Sequence, residues 1–297
     1  MSVAYPRKFG SFSARTILEQ VVRDREVHMI TLNRYRFSEQ RSCKDLTELV
    51  EKLDGEPREL VRDLSRHISD EARHAMWLTD LLHDLGAPLG RPPGTSYIDE
   101  FERLLDTANL EADAPKEDLV INSLAAINVT EKRGCEYFSS HIAALKAAPP
   151  SEENQAIQGV LEQIFPEEAA HVRWGNRWLA TLSRQSTAHR QKVEAAKIRY
   201  ASIEQAAFES GMDITLGAEL RRVERLLGVT ATLPAWQRPA YFMERLPQTL
   251  LAPDLQGTRL DIAQRAWKRD PQAFFERFIP LFLNGPKAPA KQAASHP

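Results

Sequence analysis

Residues 70–77 read DEARHAMW, and residues 167–174 read EEAAHVRW. Each stretch contains a Glu-x-x-His motif, which begins at Glu71 in the first and at Glu168 in the second. Residues three positions apart lie on the same face of an α-helix, so each motif presents a carboxylate beside an imidazole. The repeated motif predicts two similar half-sites, one in each half of the chain.

Each motif lies in a long amphipathic helix. Apolar residues three and four positions apart predict helices at about residues 28–54, 57–85 and 116–147, and a fourth that begins with Ser151 as its N-cap. About 30 residues separate the second helix from the third, whereas the other connections are short. Two helical hairpins joined by one long crossover predict an all-α protein, a ferritin-like four-helix bundle with additional C-terminal helices.

A glutamate occupies the middle of the apolar stripe in each of these helices, at Glu39, Glu71, Glu131 and Glu168. A carboxylate that faces a bundle core costs several kcal/mol unless it is paired or bound to a cation. Each hairpin folds its two glutamates back to about the same height. Glu136 is the alternative to Glu131 in the third helix, but the apolar stripe and a repeated Cys spacing favour Glu131.

The two halves also share a Glu-x-Arg-x-Cys segment, EQRSC at residues 39–43 and EKRGC at residues 131–135. With the two Glu-x-x-His motifs, it resembles the ferritin-like di-iron carboxylate superfamily, which includes rubrerythrins and bacterial multicomponent monooxygenases. This resemblance covers about residues 28–185. Within the superfamily, the Glu-x-Arg-x-Cys segment and the run HVRWGNRW at residues 171–178 resemble a bacterial ferritin-like family akin to the tRNA-modifying hydroxylases.

The resemblance implies a centre in which four glutamates and two histidines hold two metal ions. The glutamates of the Glu-x-x-His motifs would bridge or chelate the metals, and the other two would be terminal ligands. The implied metal ligands are Glu39, Glu71, His74, Glu131, Glu168 and His171. Two Fe ions are the expected cofactor, with Mn/Fe or two Mn ions as alternatives, because carboxylate and imidazole suit Fe and Mn better than metals that favour thiolates. O2 would be the co-substrate.

Four other residues are predicted to lie beside the ligands. Asp70 and Glu167 each precede a ligand glutamate, where the superfamily often has an aspartate that orients a ligand histidine. The longer side chain of Glu167 makes this role fit Asp70 better. His67, one turn before a ligand glutamate, is an extra ligand, a proton relay or a structural histidine. Tyr35, one turn before another ligand, either contacts it or packs in the core.

The remaining chain is predicted to form a leading segment and a C-terminal region. The expected divisions are an N-terminal segment at residues 1–27, the di-metal bundle at 28–185, a helical extension packed on the bundle at 186–285, and a disordered tail at 286–297. Two helices are expected in the extension, closed by Gly211 and Gly228.

Composition limits the class of protein. The chain has 39 Lys and Arg against 41 Asp and Glu, a net charge of 39 − 41 = −2, so it lacks the general basic footprint of a nucleic-acid-binding protein. No apolar run approaches the roughly 20 residues that span a bilayer. The first ten residues lack a signal-peptide core, and two cysteines do not make a disulfide framework. These features favour a cytoplasmic protein with neither membrane nor nucleic acid as partner.

The expected function is an O2-dependent di-iron oxygenase or oxidase that acts on a small organic substrate. The expected partners are that substrate, an external electron donor and a second copy of the chain in a homodimer. No catalytic residue is predicted beyond the metal ligands. Two alternatives stay open: a ferritin-like protein for iron storage, peroxide removal or metal sensing, and, by resemblance alone, a tRNA-modifying hydroxylase.

Overall fold

The computed structural model describes residues 14–92, 97–107, 115–211 and 216–250, with residues 264, 267, 268, 271, 272 and 275 beyond them. All regular secondary structure in these ranges is helical, which confirms the all-α class. The helices are α1 (Ala14–Val21), α2 (Arg25–Leu53), α3 (Arg58–Asp84), α4 (Tyr97–Thr107), α5 (Lys116–Ala147), α6 (Glu152–Ser183), α7 (Thr187–Gly211), α8 (Leu216–Ala231) and α9 (Arg238–Thr249). None of them is long and apolar enough to cross a membrane. The predicted tail lies outside the described residues.

The long helices α2, α3, α5 and α6 begin and end close to their predicted positions. α2 starts three residues earlier than expected, because the Asp24 carboxylate accepts a hydrogen bond from the backbone N–H of Val27 and caps the helix. Ser151 caps α6 as predicted, since its hydroxyl accepts from the backbone N–H of Asn154 at 3.1 Å. α5 has the predicted bounds.

Two helical hairpins dominate the packing. α2 packs along α3, α5 packs along α6, and α3 also contacts α6. The connections within the hairpins are short, whereas the segment from α3 to α5 contains α4. The sequence did not predict α1, which packs on α5 and buries Ile17, Leu18 and Val21.

The chain divides into two compact units, Met1–Arg91 with Tyr97–Phe208, and Pro92–Ser96 with Glu209–Pro297. The first unit continues past residue 185 and includes most of α7, which adds Val193, Ala196 and Tyr200 to its core. The second unit contains α8 and α9, which pack on each other. α8 continues to Ala231, so the predicted helix end at Gly228 is wrong. Packing of the extension on the bundle stays a prediction.

Two clusters of buried apolar side chains fill the core of the first unit. One cluster includes Leu46, Leu49, Leu60, Leu64, Val120, Leu124, Trp174 and Leu179. The other includes Met29, Leu32, Leu78, Leu82, Phe138, Ile142, Ile157 and Leu161. Each long helix contributes to both clusters, and its predicted ligand positions lie between the two contributions. The fold therefore encloses a polar layer between two apolar layers.

Candidate metal centre

The polar layer brings all six predicted metal ligands together. Their atoms form two groups, and within each group the candidate ligand atoms lie within 4.8 Å of one another. The first group contains Glu39, Glu71, His74 and Glu168. The second group contains His67, Glu71, Glu131 and His171. Glu71 belongs to both, so its carboxylate is placed between two potential metal positions.

Every member of the two groups is buried. The most exposed, Glu131, retains 7% of its accessible surface, and His74 retains none. Gly134 contributes to this close packing, because a Cβ atom there would lie 3.3 Å from Oε2 of Glu168. Four carboxylates held this close in a core repel one another and lose hydration, so the arrangement needs positive charge to offset both costs.

The His74 ring is held between two carboxylates. Its Nε2 lies 2.8 Å from Oε2 of Glu167, and a carboxylate accepts, so Nε2 carries the proton. In the neutral ring Nδ1 then has a lone pair, and this atom lies 3.0 Å from Oε1 of Glu168 and 3.4 Å from Oε2 of Glu39. Neither His74 Nδ1 nor Glu168 Oε1 has a hydrogen-bond partner among the described residues. A nitrogen lone pair and carboxylate oxygens that face one another in this way are arranged to bind one cation between them.

The His171 ring repeats the arrangement in the other half of the centre. Its Nε2 lies 3.2 Å from Oδ2 of Asp70. Its Nδ1 lies 3.3 Å from Oε1 of Glu71 and 3.4 Å from Oε2 of Glu131, and it too has no hydrogen-bond partner in the described ranges. Both histidines of the Glu-x-x-His motifs therefore aim Nδ1 at the carboxylates.

Asp70 and Glu167 each contact one of the predicted ligand histidines, and each contact crosses to the other hairpin. Asp70, on α3, contacts His171, and Glu167, on α6, contacts His74. Arg73 joins the two carboxylates, since its Nη2 lies 2.6 Å from Asp70 Oδ1 and 2.7 Å from Glu167 Oε2. The longer Glu167 side chain thus makes a contact equivalent to that of Asp70, although its length made this role fit Asp70 better in the sequence.

His67 lies among the predicted ligands rather than behind them. Its Nε2 is 3.0 Å from Oε1 of Glu71 and 3.3 Å from Oε1 of Glu131. The sequence left its role open, and the spacing of four residues before Glu71 was the only signal that could have found it. The structure makes the candidate donor set four glutamates and three histidines.

Two other residues considered from the sequence, Tyr35 and Glu136, belong to neither of the two groups. No hydrogen bond to the Tyr35 hydroxyl forms among the residues described, and its ring packs edge-on against Phe138, so a bond from Tyr35 to a ligand is not present. Glu136 is exposed and pairs with Arg133, whereas Glu131 is buried in the centre. The choice of Glu131 over Glu136 as the residue that faces the core is therefore supported.

The arginines and cysteines of the repeated Glu-x-Arg-x-Cys segments lie away from the ligand atoms. Arg41 pairs with Glu102 on α4, and Arg133 pairs with Glu204 on α7, so these arginines attach additional helices to the bundle. Both cysteines are free thiols. Burial raises the pKa of the Cys43 and Cys135 thiols to about 11, which disfavours the reactive thiolate.

In the metal-free centre, protons partly offset the negative charge of the carboxylates. Burial, and then the Glu71 charge, raise the pKa of Glu39 well above its usual range; burial and the Glu131 charge do the same to Glu168. Burial lowers the pKa of His67, but Glu131 and Glu71 outweigh it and raise that pKa to about 10. Burial also raises the pKa of Glu131, yet His67 and His171 together outweigh it and hold that pKa below its usual range. Protons on Glu39, Glu168 and His67 therefore reduce the net negative charge of the metal-free centre at neutral pH.

Comparison with known proteins assigns a family and no activity. The model of a family described as a protein of unknown function (DUF455) matches residues 30–222, which is more than half of the chain. The matched region contains all seven members of the two groups. No curated protein and no solved structure matches the chain.

Proposed function

We propose that this chain, a member of the DUF455 family of unknown function, is a ferritin-like di-metal oxidoreductase that uses O2 to oxidise a small organic substrate. The observation that carries the proposal is the pair of buried Nδ1 atoms of His74 and His171, which have no hydrogen-bond partner in the described structure and face carboxylate oxygens. Burying nitrogen lone pairs against carboxylates is unfavourable, and a cation bound between them would offset this cost.

The donor set supports iron or manganese as the bound metal. Carboxylates and imidazoles form the whole of both groups, and no thiol belongs to either. This mixture suits Fe, Mn and mixed Mn/Fe centres better than metals that favour thiolate ligands. The cross-hairpin contacts of Asp70 and Glu167 fix the tautomer and direction of the two ligand rings, which is the usual function of carboxylates behind a metal-bound histidine.

The surroundings of the centre support redox chemistry. When bound, two ferrous ions supply the electrons that reduce O2. The apolar layers on both sides exclude water from the centre and would limit wasteful side reactions there. The four long helices, with hairpins at α2–α3 and α5–α6 and a crossover through α4, support the ferritin-like assignment. Return to the reduced state requires an external electron donor.

The function is tested by loading the metal-free full-length protein with Fe(II) under anaerobic conditions and then adding O2. We expect O2 to be consumed in proportion to bound Fe(II), whereas protein loaded with Zn(II) consumes none, because zinc has no redox chemistry. Absence of O2 consumption by protein with both iron positions filled would contradict an oxidoreductase.

The same preparation separates the alternative functions. A large hollow assembly that takes up iron far beyond two ions per chain would indicate storage instead. Turnover of peroxide in preference to O2 would indicate peroxide removal. Binding of tRNA at low salt that weakens steeply as salt is raised would favour a tRNA-modifying hydroxylase.

A further inference from the structure

We infer that the two metal positions are chemically different, because His67 gives the position at His171 a second imidazole ligand. The inference rests on the proposed di-metal centre and concerns which metal each position selects. The position at His74 is surrounded by one imidazole and three carboxylates, whereas the position at His171 is surrounded by two imidazoles and two carboxylates. Glu71 is counted in both positions.

The position of His67 suits a ligand of the ion at His171. Its side chain is fully buried, and its ring packs on the His171 ring with 3.7 Å between the ring centroids. Its Nε2 lies at similar distances from carboxylate oxygens of Glu71 and Glu131, 3.0 and 3.3 Å, and the Nδ1 of His171 faces the same two residues. Two nitrogens and two oxygens that face one another in this way surround a common centre, as ligands of one ion do.

A role behind the ligands fits His67 less well. The rings of His74 and His171 are each held by a carboxylate on the side away from the group. The corresponding atom of His67 is Nδ1, which is buried and has no hydrogen-bond partner in the part of the chain that is described. The polar contacts of His67 are therefore all directed into the centre, where a metal bound through Nε2 would orient the ring.

The second imidazole changes metal preference. Imidazole favours Fe, Co, Ni, Cu and Zn, whereas carboxylate oxygen favours Mn, Mg and Ca. The position with His67 and His171 is expected to take Co(II) or Fe(II) before Mn(II). The position at His74, with three carboxylates, is expected to accept Mn(II) more readily. A protein that receives one nitrogen-preferring metal ion per chain and an excess of Mn(II) would hold one of each, with the nitrogen-preferring metal beside His67.

The test uses full-length metal-free protein supplied with one Co(II) per chain and an excess of Mn(II), because Co(II) binds either kind of site more tightly than Mn(II) does and would fill both positions if it were in excess. Anomalous scattering at the Co and Mn absorption edges then assigns the metal at each position in crystals of the wild type. We expect cobalt at the His67–His171 position and manganese at the His74 position. In His67→Gln the preference of the His171 position for cobalt should fall at least about tenfold, whereas His189→Gln, a change at a histidine outside the centre, should leave it unaltered.

The outcomes separate this inference from the proposed function. If neither position binds metal, the di-metal function itself fails. If both positions fill but cobalt and manganese distribute equally between them in the wild type, only the inequivalence fails, and this result does not depend on the folding of any variant. An unchanged preference in a folded His67→Gln protein would likewise exclude His67 as its cause.

Discussion

Replacing Glu71 with glutamine is expected to remove both metal ions at once. Glu71 is the residue common to the two groups, and its carboxylate lies 3.0 Å from His67 Nε2 and 3.3 Å from His171 Nδ1. A glutamine amide keeps the size of the side chain but removes its negative charge. Residues that only orient a ligand change metal affinity about 10- to 100-fold, so loss of a shared ligand should exceed about 100-fold.

The measurement is Fe(II) or Co(II) binding by isothermal titration, with helicity checked by circular dichroism. Glu136→Gln is the matched control, because Glu136 is an exposed glutamate on α5 whose charge pairs with Arg133 at the surface. The control should bind two ions with wild-type affinity. A folded Glu71→Gln protein that still binds two ions with unchanged affinity would contradict the shared position of Glu71.

The second prediction with a large effect concerns the stability of the metal-free protein. Glu168→Gln is expected to make the metal-free protein more stable at neutral pH while it weakens metal binding. Oε1 of Glu168 lies 3.0 Å from the Nδ1 lone pair of His74, and neither atom has a hydrogen-bond partner within the described ranges. An amide N–H at this place would donate to His74 Nδ1. The wild-type carboxyl can donate this hydrogen bond only by keeping a proton at neutral pH, whereas the amide needs none, so the substitution is expected to contribute about 1–3 kcal/mol.

The pH dependence of the metal-free protein tests the same residue. Burial and the Glu131 charge raise the pKa of Glu168 in the folded protein, while the unfolded chain titrates near the ordinary value of about 4.3. Between these two pKa values the native state binds more protons than the unfolded state, so this residue makes stability fall as pH rises. Glutamine does not titrate, so the fall in Tm between about pH 5 and 8 should be smaller in Glu168→Gln.

Thermal unfolding at several pH values, with a chelator present, measures both effects. Glu136→Gln should unfold as the wild type does. Adding metal should reverse the order, because metal stabilises the wild type in proportion to its binding and the Glu168→Gln variant much less. A variant that is less stable than the wild type at every pH without metal would contradict unfavourable burial of the Glu168 carboxylate.

Much of the centre was predictable because its ligands repeat. Glu71 and Glu168 follow the same helical spacing in both halves, and a glutamate in an apolar stripe stands out against its neighbours. Hairpin geometry then set Glu39 and Glu131 at the same height, and the structure brings all of them into one layer. Helix ends followed local rules of the same kind, as at the Ser151 cap.

The contacts between hairpins were not predictable. Asp70 touches His171 and Glu167 touches His74 because of how α3 packs against α6, and residue spacing within one helix carries no information about that packing. The place of His67 was left open for the same reason, since its distance from Glu131 depends on the neighbouring helix. The predicted helix end at Gly228 was wrong, since α8 continues to Ala231. A glycine alone therefore did not determine the boundary.

The central claim is that two metal ions lie between the four glutamates and the histidines. The most direct measurement is an anomalous difference map from crystals of protein loaded anaerobically with Fe(II), with data collected on both sides of the iron edge. The claim predicts two peaks, one near His74 Nδ1 and one near His171 Nδ1, with the Glu71 carboxylate between them. A map with no peak within this layer, or with iron bound only at the protein surface, would contradict it.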